Sequence, residues 1–597
     1  MRRAALQAFR ALRRPSNRTV VRTRSVIPFI SHATGLRSLS SYTKDRATSS
    51  VLTSSMHLRR FSIAVAASAV VSGVYYSYRS GSSQAGAAVN EQKAASASLY
   101  PSGSGTASAS MGQETESKRR AIVIDQGQLY SGTIEGPLSK ETDDAGRRVL
   151  EMLTADQATQ MLRKNEESWL VGRGKGVVRY DVVQIPSNYP IEDDHAEKTI
   201  EVPVNASTAA DNSTSNDWMF WGVFDGHSGW ITSAKLRQSL ISFVARELDN
   251  TYKKSPLPSA ESIDEAIKKG FLRLDNEIVH DSVAKVTKAG SKRIAAEVLA
   301  PALSGSCALL SFYDSQSKLL RVACTGDSRA VLGRRGTSGK WTATALSVDQ
   351  TGGTPEEVQR LRKEHPNEPQ VCMNGRILGG LEPSRAFGDA FYKWSIETQN
   401  QMKNMYFGRT PSKLLKTPPY VTAEPVVTTT KVRPEQGDFV VMATDGLWEM
   451  LTNEEVVGLV GQWLEAQANG TNGNEKQSWL KSWTTASKKE LPVEKNGGND
   501  GEGQRAPIRQ KQWGVNANQE RFIVEDKNAA THLVRNALGG RDSEQVCALL
   551  TLPSPYSRRY RDDLTVEVIF FGEGENTGNV ELNKEASALA TDAKAKL

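Results

Sequence analysis

Five times along this chain a carboxylate stands where a strand-like apolar run ends or begins. FWGVFDG at 220–226 runs into Asp225, LLRVACTGDSRAVLG at 319–333 carries Asp327 between two apolar stretches, and DFVVMATDGLW at 438–448 reaches Asp445. RRYRDDLTVEVIFF at 558–571 sets Asp562 and Asp563 before a run that alternates and then turns wholly apolar. NYPIEDDHA at 188–196 presents Glu192, Asp193 and His195 after a proline turn. Any one of these is an ordinary tight turn, with Gly226 after Asp225 supplying a positive φ. Five of them predict strands of packed sheets converging on a common edge. Amphipathic helices fill the intervals: Ser262-Ile-Asp-Glu265 has capping-box form ahead of the stripe Ile263, Ile267, Leu274 and Ile278, and Thr354-Pro355 opens another. The pattern predicts a sheet sandwich flanked by helices.

Carboxylates brought together repel, and burial raises the cost further. Cations are the usual remedy. The donors are oxygens without a Cys/His cluster, which suits Mg²⁺ or Mn²⁺ over zinc. Cys307, Cys324, Cys372 and Cys547 are scattered without a C-x-x-C pair and read as reduced core residues.

The formal charge of +8 suggests a nucleic-acid binder until its distribution is seen. Residues 1–80 hold a net +13, so the body is acidic at −5 and nucleic acid is excluded as a partner. Residues 1–60, rich in Arg, Ser and Ala and nearly free of acids, are expected to be a mitochondrial transit peptide, a disordered basic tail being the alternative. The uncharged stretch 61–78 is near the lower length for a membrane span, and reads as an inner-membrane or sorting segment, or as part of the linker. Residues 79–119 read as a flexible Ser/Ala/Gly tether, 120–573 as one catalytic domain with a low-complexity surface insertion at about 467–517, and 574–597 as a polar tail. The terminal Ala595-Lys596-Leu597 is a conservative variant of the Ser-Lys-Leu peroxisomal address, a match short enough to arise by accident, and would be read by a peroxisomal import receptor.

These motifs, in this order, resemble the metal-dependent serine/threonine protein phosphatases of the 2C type over roughly residues 120–573. SGSCALL at 304–310, LSVDQ at 346–350 and SRAFGD at 384–389 add to the likeness. Within that family the chain is most similar to the mitochondrial pyruvate dehydrogenase phosphatases, through NYPIEDDH, VQRLRKEHP (358–366), RAFGDAFYKWS (385–395), TPPYVTAEPVVT (417–428), NAATHLVRNALGG (528–540) and YRDDLTV (560–566). The resemblance implies an α+β fold with a central β-sandwich of two antiparallel sheets in a four-layer arrangement. It implies two Mg²⁺ or Mn²⁺ ions, with Asp225 bridging them, the Gly226 carbonyl completing one shell, and Asp445 and Asp562 holding the other ion. Glu192 would bind metal through water, Asp327 with Asp445 would hold a weaker third ion, and Asp193 and Asp389 would be supporting residues. His227 would be the general acid for the departing serine or threonine oxygen. The implied substrate is a phosphoprotein, the E1α subunit of the pyruvate dehydrogenase complex, with other mitochondrial or peroxisomal phosphoproteins as the alternative.

The sequence departs from the family pattern at two places. An Arg four residues before the acidic-pair Glu grips the substrate phosphate in many members, and Asn188 stands there here. The pyruvate dehydrogenase phosphatases share that Asn, which leaves phosphate to the metals, the Asn188 amide and donors not identifiable in the sequence. Ser228 replaces a frequent Gly after the His, a change expected to be harmless. Two rival readings exist. A catalytically dead binding module would need missing ligands, and all are present. A P-loop NTPase is suggested by VGRGKG at 171–176, which lacks the Gly spacing and the Ser/Thr after Lys.

Overall fold

Strands with β-branched cores, such as VVRYDVVQI at 177–185 and LTVEVIFF at 564–571, are buried over most or all of their length instead of alternating. An antiparallel sheet with one wet face alternates; one covered on both faces does not. The computed structural model shows why these strands are covered. It describes residues 119–125, 128–134, 147–203, 215–470, 490–494, 507 and 520–588, all within the compact unit Ala88–Leu597.

Among the described residues the strands are β1 (Arg119–Asp125), β2 (Gln128–Ile134), β3 (Arg148–Glu151), β4 (Glu167–Arg173), β5 (Val177–Ile185), β6 (Asp194–Pro203), β7 (Ser215–Phe224), β8 (Gly226–His227), β9 (Gly305–Ser306), β10 (Ala308–Asp314), β11 (Leu319–Thr325), β12 (Arg329–Arg335), β13 (Trp341–Ala345), β14 (Cys372–Met373), β15 (Arg376–Ile377), β16 (Phe387–Gly388), β17 (Val426–Lys431), β18 (Phe439–Ala443), β19 (Leu564–Phe571) and β20 (Asn576–Leu582). Two sheets dominate, a seven-stranded one ordered β13-β12-β18-β19-β5-β4-β20 and a five-stranded one ordered β17-β11-β10-β7-β6. Every pairing in both is antiparallel.

Their inner faces share one core, in which Met219, Trp221, Val223 and Leu309 meet Val440, Met442, Ile569 and Phe571. The other face of the five-stranded sheet gives Trp218, Phe220 and Phe312 to helices Ile231–Lys254 and Ala260–Asn276. The other face of the seven-stranded sheet gives Val441, Val566 and Val568 to a cluster shared with helices Ala155–Arg163, Asn453–Gly470, Ala529–Leu538 and Ser543–Thr551. Helix, sheet, sheet and helix make the four layers that the resemblance implied. At about 1.5–3 kcal/mol for each large side chain taken from water, these three interfaces fix the sandwich.

Local details refine the sequence reading. The stripe Ile263, Ile267, Leu274 and Ile278 is buried as expected, but the helix begins earlier, with Ser259 capping the Ser262 N–H at 3.2 Å. VGRGKG spans the end of β4, a turn with Gly174 and Gly176 at φ 61° and 90°, and the approach to β5. It is strand–turn–strand, and a phosphate loop needs a helix next, so the NTPase reading falls. Residues beyond 573 still pack on the fold: β20 adds an edge strand against β4, and the Ser587 hydroxyl accepts from the Ser168 N–H at 2.9 Å. All seven β20 residues are exposed, so no apolar pattern marked it. The expected surface insertion is not wholly outside the fold either: Val493 is buried and bridges Trp341 of β13 in parallel. The transit peptide, the 61–78 segment, the linker to 118 and Ala595-Lys596-Leu597 lie outside the described residues. Among the described residues no helix is long and apolar enough to cross a membrane.

Candidate metal centre

Antiparallel pairing places the carboxylates at one end of the sandwich. β7 finishes at Phe224, paired with Asp194 at the start of β6, so Asp225 and the Glu192–Asp193 pair are neighbours. From the other sheet, β18 ends at Ala443, paired with Val566 of β19, so Asp445 and the Asp562–Asp563 pair meet in the same way. Asp327 sits in the tight connection between β11 and β12. A Cβ on Gly226 would overlap the Glu192 carbonyl, and one on Gly446 would overlap the Asp563 carbonyl. Glycine at both places lets the facing segments touch.

The electrostatics record the crowding. Burial, then the charges of Asp445, Asp193 and Asp327, push the Asp225 carboxyl well above the usual range. Burial and Asp563 raise both Glu192 and Asp193. Asp327, buried and accepting from the Cys307 thiol at 3.2 Å, is pushed up to about 6, chiefly by burial. Among the described residues no three Asp, Glu, His or Cys side chains are closed around one point. The donor set nevertheless fits hard divalent cations: oxygen-only, and carrying more negative charge than its surroundings balance.

The supporting contacts run across the two sheets. Asp193 accepts from the hydroxyls of Thr444 at 2.9 Å and Thr565 at 2.8 Å. Asp563 receives the N–H groups of Ser187, Asn188 and Glu192, the last two at 2.9 Å each. The Asn188 side-chain amide also donates to Asp563, at 3.2 Å, so it is engaged in holding this loop. Asp562 accepts from the Asp563 N–H at 2.7 Å and pairs with the Arg558 guanidinium.

His227 Nε2 lies 2.6 Å from Asp389 Oδ2. Burial lowers the imidazole, but the charge and hydrogen bond of Asp389, with Asp327 and Glu192 behind it, outweigh burial and raise its pKa above the ordinary value. Asp389 holds a left-handed backbone at φ 48°, and its N–H donates to the Ser304 carbonyl at 2.9 Å. Ser228 stands at φ 58°, which explains why Gly suits that place; a side chain there costs about 1–2 kcal/mol.

Every sequence-predicted site residue therefore falls at this end of the sandwich. Three others belong with them. Asp563 organises the 187–192 loop, and its signal was the doubled Asp. Gly305 leaves no room for a Cβ beside the His227–Asp389 pair. Arg558 reaches the centre from the turn before Asp562, and nothing in its spacing announced it.

The family described as Protein phosphatase 2C matches residues 194–480. Glu192 and Asp562 lie outside that span, and the fold returns both to the same edge. The chain is similar, at 44% identity over 71% of its length and 75% of the relative's, to mitochondrial [pyruvate dehydrogenase [acetyl-transferring]]-phosphatase 1 of Saccharomyces cerevisiae. It is 44% identical to a protein phosphatase 2C homolog of Schizosaccharomyces pombe, over 70% of this chain and 85% of that one. It is 32% identical to the Bos taurus mitochondrial phosphatase 1, over 70% and 83%. The chain belongs to the protein phosphatase 2C family and is a metal-dependent protein serine/threonine phosphatase.

Proposed function

We propose that this phosphatase works with two Mg²⁺ or Mn²⁺ ions at the sandwich end, which Asp225 would help to hold. The Gly226 carbonyl and, through water, Glu192 would serve one ion, Asp445 and Asp562 the other, and Asp327 with Asp445 a weaker third. The observation that carries this reading is the convergence of carboxylates from both sheets on one buried edge, where burial and then the charges of Asp445, Asp193 and Asp327 raise the Asp225 carboxyl. Ionised carboxylates so crowded cost several kcal/mol unless cations offset them. When bound, such ions lower the pKa of a water toward neutrality and neutralise charge on the phosphoryl oxygens.

The chain's own residues do the positioning and the proton transfer. Thr444 and Thr565 fix Asp193, and Asp563 fixes the backbone that presents Glu192. Asp389 engages His227 Nε2, which leaves Nδ1 to deliver a proton to the departing serine or threonine oxygen. The charge and hydrogen bond of Asp389 outweigh burial and raise the His227 pKa, which favours the protonated imidazole.

The substrate we infer is the E1α subunit of the pyruvate dehydrogenase complex, and the compartment the mitochondrion. The names of the relatives and the basic, acid-poor segment 1–60 support both. Attachment through 61–78 and a second, peroxisomal pool through Ala595-Lys596-Leu597 are read by protease protection in mitoplasts and by imaging a chain lacking the tripeptide. The mechanism is tested by assaying phosphorylated E1α with Mg²⁺, with chelator, and with Asp225→Asn. Chelation abolishes turnover, and the variant loses about 10²–10³-fold or more in kcat/KM. Turnover in chelator, or a fully active variant, sinks the metal assignment; equal rates on unrelated phosphoproteins sink the substrate.

A further inference from the structure

Asn188 stands where the resemblance implies a phosphate-gripping Arg, and its amide is turned to Asp563 at 3.2 Å. A cation nevertheless arrives beside that position from a distant part of the chain. Arg558 is the middle residue of a short 3-10 turn, Ser557–Arg559. The Ser557 hydroxyl donates to the carbonyl of Ser187, the residue before Asn188. The Tyr560 and Arg561 N–H groups return to the Ser557 carbonyl at 2.9 and 3.0 Å. The turn is thus locked to the loop that lost its Arg, and the Asp562–Asp563 pair follows immediately.

From this anchor the Arg558 guanidinium pairs with Asp562, while the side chain stays 47% exposed. The pairing with Asp562 and the turn's bond to Ser187 place it beside the carboxylate cluster, where its charge also favours the ionised forms of Asp225 and Glu192. Neighbouring Arg561 is different: it is buried, and its Nε donates to the Leu549 carbonyl at 3.2 Å. Only Arg558 of the two combines proximity to the cluster with access from outside.

We propose that Arg558 is the phosphate-binding arginine of this enzyme, taking from a different element the role that Asn188 cannot fill. The proposal rests on the metal-centre reading above. With Asp562 committed to a cation, the guanidinium is released from its carboxylate partner toward the phosphoryl oxygens. Its planar pair of N–H donors suits two of those oxygens at once, which a lysine ammonium cannot match.

Three measurements on the full chain test this. Inorganic phosphate binding to the Mn²⁺-loaded protein is measured by calorimetry, KM and kcat with a phosphoserine peptide, and Mn²⁺ affinity by electron paramagnetic resonance. Arg558→Ala is expected to weaken inorganic phosphate and raise KM by about 10- to 100-fold, with kcat changed less. Arg558→Lys recovers part of both, and Mn²⁺ affinity in both variants stays within about threefold of the parent, under half a decade of binding. Because the side chain is half-exposed, both variants should melt with the parent. Unchanged phosphate affinity in Arg558→Ala, with or without a loss of Mn²⁺ affinity, overturns the proposal and makes Arg558 a mere partner of Asp562. Failure of the metal centre itself looks different, since the parent protein would then show no Mn²⁺-dependent phosphate binding at all.

Discussion

Gly305 brings no side chain to the chemistry, yet it is among the least replaceable residues near it. Its backbone passes so close to His227 Nε2 and Asp389 Oδ2 that a Cβ would overlap both. Gly305→Ala should therefore separate the imidazole from its carboxylate while leaving the metal ligands in place. General-acid help is worth about 10²–10⁴-fold. The variant is expected to lose at least about 100-fold in kcat on a phosphoserine peptide, and far less on p-nitrophenyl phosphate, whose leaving group departs without a proton. Equal losses on the two substrates would show that His227 is no proton donor. Asp225, Asp327, Asp445 and Asp562 were legible in the sequence because each ends or begins an apolar run. Gly305 and Arg558 were not, and the doubled Asp marked Asp563 without showing what it holds, because these roles depend on contacts across distant parts of the chain; Asp563 and Asn188, for example, are 375 residues apart.

At the scale of elements, segment 490–494 shows how a short stretch can matter inside a polar insertion. The Trp341 N–H donates to the Pro492 carbonyl at 2.8 Å, and the Glu494 N–H donates back to Trp341 at 2.7 Å. Leu491 and Val493 pack beside Gly458 of the helix Asn453–Gly470. The segment covers the outer edge of β13, at the margin of the seven-stranded sheet, where unpaired N–H and C=O groups invite association. Val493→Asp puts a charge into this buried contact and should cost about 2–4 kcal/mol in urea unfolding. Its kcat per folded molecule should match the parent, because the metal centre is built by other strands. A variant as stable as the parent would mean that the edge contact contributes nothing. Three apolar residues among Gly, Asn and Lys are too few to show a period, which is why the whole stretch reads as surface. The exposed edge strand β20 escapes sequence reading for the opposite reason, having no buried face at all.

For the molecule as a whole, the sandwich was readable because both sheets deliver carboxylates to one end, which demands two layers of strands facing each other. What lies between those layers was not readable, and Glu567 is the clearest case. It points from β19 into the inter-sheet layer, on the same strand face as Thr565 and Ile569, and is fully buried. Among the described residues neither carboxyl oxygen has a hydrogen-bond partner. Burial, then the charge of Glu197, push its pKa well above the ordinary Glu range. The folded state therefore binds a proton that the unfolded chain releases once pH passes about 4.3. Stability from this group is complete below that pH and declines as pH rises toward the folded-state value, by up to about 1.4 kcal/mol per unit. Glu567→Gln removes the titration and keeps the shape. Urea unfolding of parent and variant at pH 5 to 8, in saturating Mg²⁺, should give curves that diverge with pH, the variant gaining on the parent toward pH 8. The carboxylates of the metal centre are common to both proteins and cancel in the difference. Parallel curves would mean that Glu567 does not titrate differently in the folded and unfolded states, and that the layer between the sheets holds an ionised carboxylate without penalty.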